Sequence, residues 1–376
     1  MDYILILGIF EALLLSLLLF LKKQRNLPDT ILGLIFLLFA IHILLSFFEI
    51  RNRQNGFPIT WIIHTTVPLL LLHGPGFWFY IKAQTTQNFQ FKPIYILHFL
   101  PFIALFLDQL FEIYLLPVDQ KVEIVKTEAF RSFISYYVSI VFLSISSVGY
   151  FVWGLFMISA YKKKIKNYFS EIHNIDLQWL KTLLISAIGF YSFIYLAYIL
   201  DLIFRFTPPG LLQFMGFIVG SLFILFLGFY GHRQGRIFTS VQVIPDIKKS
   251  KKENIIQCNL SSQDELFINR LFQHMEEFKP HLNPDLTISN LAELMNINVE
   301  YLSETLNNRL NRNFFDFINH YRIEEFKKRC NLTENKNITL LGIAFDCGFN
   351  SKATFNRVFK NATGKTPSEF KANADK

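Results

Sequence analysis

Along this chain of 376 residues the hydrophobic pattern changes near His232. Before that point apolar residues run almost unbroken for about twenty positions at a time, separated by short polar segments. After it they return every three or four residues among charged side chains, the period of a helix with one buried face. Hydrocarbon cannot hydrogen-bond an open backbone, so a spanning segment is a helix of about 20 residues. Seven stretches meet that length: 3–21, 30–48, 59–81, 94–116, 133–160, 180–204 and 211–230. The first has no basic residue ahead of it and no small-residue cleavage site behind it, which predicts a retained span rather than a removed signal. Gly74, Pro75 and Gly76 predict a kink in the third.

In the soluble half, Ser262 with Glu265 three residues on predicts a capped amphipathic helix over 261–278. Thr287 can cap a helix that begins at Ile288, with Leu291, Ala292 and Leu294 inward. Asn296 and Ile297 make a turn, and Asn298 caps a second helix whose inner face is Leu302 and Leu306. Small Ala292 lets the two helices cross closely, which is helix-turn-helix spacing. The pattern then repeats. Thr339 precedes a helix with Ile343 and Ala344 inward. Gly348 suits a left-handed helix stop, Asn350 or Ser351 opens the next helix, and Phe355, Val358 and Phe359 face the core. A long helix over 314–330 lies between the copies, its outer side made basic by Arg322, Lys327, Lys328 and Arg329. A last helix near Pro367 closes the second copy with Phe370. The expected fold class is all-α: a seven-helix transmembrane bundle, then a soluble all-α domain with two helix-turn-helix subdomains joined by a long helix. The expected divisions are 1–231, a linker with the amphipathic helix over 232–283, and 284–376.

Composition adds direction. Hydrophobic residues make up 52% of the chain against 18% charged, and that bias is concentrated before His232. The formal charge of +8 divides into about +4 on each side of that point. With the amino terminus outside, inner segments carry eleven Lys and Arg, among them Lys22, Lys23, Arg25, Lys162, Lys163, Lys164 and Lys166, against six outside. This predicts a multi-pass protein of the cytoplasmic (inner) membrane with its carboxyl end in the cytoplasm. In the linker, Pro245 precedes Lys248, Lys249, Lys251 and Lys252, a run that anionic lipid attracts and that water also solvates. Cys258, Cys330 and Cys347 lie beyond the boundary with no C-x-x-C, so neither disulfides nor a metal site is expected. No phosphate-binding loop, H-E-x-x-H, G-x-S-x-G or dinucleotide turn occurs, so neither enzymatic activity nor a cofactor is expected.

The stretch 342–360, GIAFDCGFNSKATFNRVFK, followed by TGKTPSEF over 363–370, closely resembles the signature of AraC-type transcription regulators. Tyr301-Leu302-Ser303, FFDFIN over 314–319 and YRIE over 321–324 fit the same family. The resemblance covers about 284–371, and the seven-span front end is similar in architecture to the family's membrane-anchored branch. It implies a one-component regulator that sets two recognition helices in successive major-groove segments of double-stranded promoter DNA. Base-reading positions are then Ser303, Glu304 and Asn307 in the first unit and Lys352, Ala353, Asn356 and Arg357 in the second. Asn308, Arg309, Lys360 and Lys365 fall to phosphate. Glu304 departs from the family, which more often has a basic or amide residue there. A carboxylate facing phosphates is unfavourable unless it accepts from cytosine. Specificity then lies mainly in the second unit, or Glu304 excludes wrong bases, or Glu300 and Glu304 point past the DNA. At membrane depth, Glu11, His73, Asp108 and Asp201 are candidates for sensing an unknown small ligand, with interhelical hydrogen bonding as the plainer role. The lipid bilayer, RNA polymerase and a second copy of the chain, as a homodimer, are the other expected partners. The competing class is a receptor or carrier whose cytoplasmic tail docks a protein.

Overall fold

The computed structural model describes residues 2–86, 88–207, 210–234, 260–335 and 337–374. Pro245, the basic run 248–252 and Cys258 lie outside them. The chain forms two compact units, Met1–Ser159 with Leu177–Val243, and Ala160–Asp176 with Ile244–Lys376. Among the described residues every regular element is a helix, and one isolated antiparallel bridge joins Phe169 to Thr287.

The first unit contains α1 (Asp2–Phe20), α2 (Leu27–Gln54), α3 (Thr66–Thr85), α4 (Leu100–Gln109), α5 (Val118–Thr127), α6 (Ile134–Ile165, whose last turn belongs to the second unit), α7 (Gln178–Phe204) and α8 (Leu211–Gln234). A capping box starts α2: Asn26 Oδ1 accepts from the Asp29 amide at 3.0 Å, and the Asp29 carboxylate accepts from the Asn26 amide at 3.1 Å. Buried Leu5, Ala12, Leu15 and Leu19 of α1 pack on α2, where Ser16 Oγ donates to Gly33 O at 2.9 Å. Tyr3, Leu7, Phe10 and Leu17 on the same helix stay exposed.

Among the described residues five helical segments are long and apolar enough to cross a membrane: α1, α2, Pro93–Tyr114 around α4, α6 and α7. They coincide with five of the seven expected stretches. The third stretch falls short in apolarity because α3 lies inside the bundle, with thirteen of its residues buried. A helix surrounded by protein tolerates His73, Gly74, Pro75 and Lys82, which a lipid-facing one does not. The helix is continuous through Pro75 from Thr66 to Thr85. Gly74 serves close approach, since a Cβ there would lie 2.9 Å from Tyr150 Cβ. The apolar part of α8 that is described, Leu211–Leu227, is shorter than a full span.

The second unit contains α9 (Leu260–Glu277), α10 (Ile288–Leu294), α11 (Val299–Glu304), α12 (Phe314–Cys330), α13 (Leu340–Asp346), α14 (Lys352–Thr363) and α15 (Pro367–Ala374). Because α9 is already helical at Leu260, Ser262 sits inside its first turn and not at the cap. One core gathers Phe267, Leu271 and Met275 of α9 with Leu291, Leu302, Leu306 and Phe317. The other gathers Phe326, Ala344, Phe349, Phe355 and Phe359, with Phe370 against it. Both include residues of α12, which thereby joins the two halves.

Candidate nucleic-acid interface and bundle cavity

The two helix-turn-helix units turn in the same way. In the first, the Ile297 amide donates to Ala292 O at 2.9 Å and Asn296 takes φ +54°. In the second, the Phe349 amide donates to Ala344 O at 3.1 Å and Gly348 takes φ +91°. Thr287 and Asn298 cap α10 and α11 by accepting from Asn290 and Glu300 amides at 3.2 and 2.9 Å. Thr339 and Ser351 cap α13 and α14 by accepting from Gly342 and Thr354 amides at 3.1 and 3.3 Å. Ser351, not Asn350, is thus the second cap, and Asn350 is the extra turn residue. Gly348 is required twice over: for its left-handed backbone, and because a Cβ would meet Leu282 O at 2.9 Å and Arg322 Nε at 3.0 Å.

On α14, Lys352, Ala353, Asn356, Arg357 and Lys360 are exposed, while Thr354, Phe355 and Phe359 are buried. The Arg357 guanidinium carbon lies 5.9 Å from the centre of the Phe315 ring. The first recognition helix is less regular. After Glu304 it widens into a π turn, Thr305–Arg309, that buries Thr305 and Leu306 and shifts the phase of the residues beyond. Glu304, Asn308 and Arg309 are exposed, whereas Ser303 and Asn307 are half-buried and tied together, Asn307 Nδ2 donating to Ser303 O at 2.8 Å. Arg309 pairs with Asp264 of α9 at 2.8 Å, which neutralises part of its charge. Lys365 is exposed. Of the basic side expected on α12, Arg322 is fully buried, and Lys327 and Arg329 pair with Glu324 and Glu325 at 2.7 and 2.8 Å. The missed cations lie elsewhere. Lys163, Lys164, Lys166 and Arg312 line an open groove together with Asn307, and no carboxylate shares its lining.

The sequence pattern of the family described as "Helix-turn-helix domain" matches residues 291–373. These residues form an AraC-type helix-turn-helix domain. Similar proteins include three uncharacterized HTH-type transcriptional regulators of Staphylococcus aureus, from strains COL, MSSA476 and N315, each 32% identical over 111 residues. The match covers 30% of this chain and 14% of each relative, so the chain spans a small part of their length. No solved structure matches the chain.

The α6–α7 connection, Ala160–Asp176, belongs to the same compact unit as the AraC-type domain. The Ile288 amide donates to Tyr168 O at 2.9 Å, the Ser170 amide to Leu286 O at 3.2 Å, and the Phe315 amide to Lys166 O at 2.8 Å. Arg322 of α12 fastens this loop. Its guanidinium donates to the carbonyls of His281 (2.8 Å), Asn283 (2.7 Å) and Ser170 (3.2 Å), and to Ser170 Oγ at 3.0 Å. Burial lowers its pKa to about 10, opposed by Glu171 and Asp285, so it stays a cation at neutral pH. Thr354, on the recognition helix itself, donates to Glu171 Oε1 at 3.0 Å.

The helical bundle of the other unit holds a cavity of about 200 Å³ lined from α2, α3, α6, α7 and α8. His42 Nδ1 and His73 Nε2 are 3.2 Å apart in its wall, and His73 Nδ1 is 2.6 Å from the Tyr191 hydroxyl. Arg131, also lining it, pairs with Glu128 at 2.7 Å and Asp201 at 3.1 Å. Gln213 donates to Glu49 at 3.0 Å, and Thr66 donates to Glu49 at 2.7 Å. Of the four sensing candidates, His73 lines the cavity and Asp201 supports Arg131. Glu11 and Asp108 are half-buried outside its lining. The sequence did not single out Glu49, Arg131 or Tyr191, because nothing in a lone acid, a loop arginine or a tyrosine in an apolar run marks convergence.

Proposed function

We propose that the chain is a membrane-embedded transcription regulator that reads promoter DNA through both helix-turn-helix units and answers a signal received in its helical bundle. The observation that carries this reading is the repeated turn geometry, with an exposed, chemically varied face on α14. Arg357 reads a guanine and Asn356 an adenine, each bidentate pair contributing about 1–3 kcal/mol of discrimination. Lys352 and Ala353 complete the base-reading face of α14. Lys360, Lys365, Asn308 and the groove lysines contact phosphate, and Glu304 selects against bases that offer it no donor. Arg309 contributes little while Asp264 holds it. The similarity to HTH-type transcriptional regulators supports the regulator class.

The five long apolar helices, with outward Tyr3, Leu7 and Phe10, support membrane embedding. The loop's contacts with the AraC-type domain require both on one side of the bilayer. That calls for an even number of crossings between Asp176 and Leu260, which supports α8 as a span beside α7. The same loop is the route for the signal: it continues directly into α6 and α7, which supply Tyr136 and Tyr191 to the cavity. The test is duplex selection with the full-length chain in nanodiscs. The expected product is a bipartite site with elements about one helical turn apart, whose affinity falls linearly with log salt. No enrichment over random duplex overturns the reading.

A further inference from the structure

We infer that duplex DNA and the α6–α7 loop bind the AraC-type domain cooperatively, because the DNA backbone bridges the two walls of one basic groove. This rests on the DNA binding proposed above and adds the linkage to it. One wall is the loop, with Lys163, Lys164, Lys166 and Asn167. The other is the end of the first recognition helix and the turn after it, with Asn307, Asn311, Arg312 and Asn313. The walls are distant in sequence. They are joined by the Phe315 amide, which donates to Lys166 O at 2.8 Å, and by the Arg322 guanidinium on Ser170. Asp316 draws on Lys166 Nζ at 3.7 Å, which leaves Lys163, Lys164 and Arg312, all exposed, as the unpaired cations of the lining among the described residues.

Position selects the anion. Asn307 lies on the first recognition helix. Near the ring centre of buried Phe315 stand both Lys166 Nζ, at 5.1 Å, and the guanidinium carbon of Arg357 on α14, at 5.9 Å. The cations therefore run on towards the second recognition helix. Phosphates flank the major groove that such helices enter, so a duplex backbone fits this place better than a lipid head group. Lys163 and Lys164 share that backbone with Arg312 only while the loop is docked. Docking then raises DNA affinity, and bound DNA strengthens docking by the same factor. Each phosphate contact adds about 0.9 to the salt slope, so two contribute roughly thirtyfold at about 0.15 M salt relative to about 1 M, and roughly threefold at about 0.5 M.

The test is hydrogen exchange on the full-length chain in phosphatidylcholine nanodiscs, with and without saturating duplex of random sequence. Fluorescence anisotropy follows the binding itself, and a phosphate bridge needs no particular bases. Bound duplex should slow the Ser170, Ile288 and Phe315 amides about thirtyfold at about 0.15 M salt and about threefold at about 0.5 M. Changing Lys163 and Lys164 together to Ala should remove that slowing at saturation, while weaker binding persists. Lys360→Ala, which loses a phosphate contact on α14, should keep it. Duplex that binds without slowing these amides overturns the proposal, as does equal slowing in the double variant. So does slowing of the same size by phosphatidylglycerol nanodiscs without DNA, which would make lipid the occupant. Binding of random duplex with no sequence enriched would sink the base-reading assignment and leave this one standing. No duplex binding at all overturns both.

Discussion

Arg322→Ala removes the side chain that holds the α6–α7 loop against the AraC-type domain. Four short hydrogen bonds are lost, three to carbonyls and one to a hydroxyl. Charge-assisted bonds contribute roughly 1.5–3 kcal/mol each, which would total roughly 6–12 kcal/mol taken alone. The fully buried guanidinium has already cost several kcal/mol in desolvation, and that cost disappears with it. Asn319 Nδ2 still donates to Ser170 O at 3.0 Å, so that carbonyl keeps a partner. The net loss should be about 3–5 kcal/mol, the range for breaking a buried charged network. Hydrogen exchange on the full-length chain measures it locally. Amides of Ser170, Ile288 and Phe315, which bond across the loop, should exchange roughly 150- to 5,000-fold faster. Amides of Phe355 and Phe359 in α14 serve as the reference for global opening. Unchanged protection of the three loop amides would refute the clamp, and so would an equal rise in α14.

Other perturbations test other parts. Arg357→Ala should weaken operator binding and relax specificity at one base pair, whereas Lys360→Ala should weaken all sequences evenly; competition against single-base operator variants separates the two. Changing Lys163 and Lys164 together to Ala should lower the slope of log affinity against log salt by about two, with base preference intact. His281, buried beside Arg322's acceptor carbonyl, has its pKa lowered by burial to about 4 from 6.5, with Glu325 opposing. Its unfolded form therefore binds a proton first, and domain stability should fall as pH drops from about 6.5 towards 4. Urea unfolding across that window should show the fall, and His281→Gln should flatten it.

What the sequence made legible was local. Thr287, Asn298 and Thr339 cap their helices with side chains two or three residues from the amides they serve, and such pairings are visible in order along the chain. Ala292 and Ala344, with Asn296 and Gly348 behind them, fixed both turns for the same reason. Features built from distant residues were not legible. Arg322 meets Ser170 across 152 positions, and nothing near Arg322 marks it as buried where its neighbours Lys327 and Lys328 suggest a solvated face. The π turn after Glu304 buries Thr305 and Leu306, and an unbroken helical period over 299–308 conceals it. Of the seven expected apolar segments, the third is a helix sheltered by its neighbours, which need not be apolar enough to meet lipid itself, and the apolar part of the seventh is described only as far as Leu227.

The loop clasped by Arg322 gives the AraC-type domain a second tether besides the covalent linker. A protease that cuts between residues 235 and 259 severs only the first. Freeing residues 260–376 from the bundle then takes two events, scission and undocking, and a nicked chain stays together until the clasp opens.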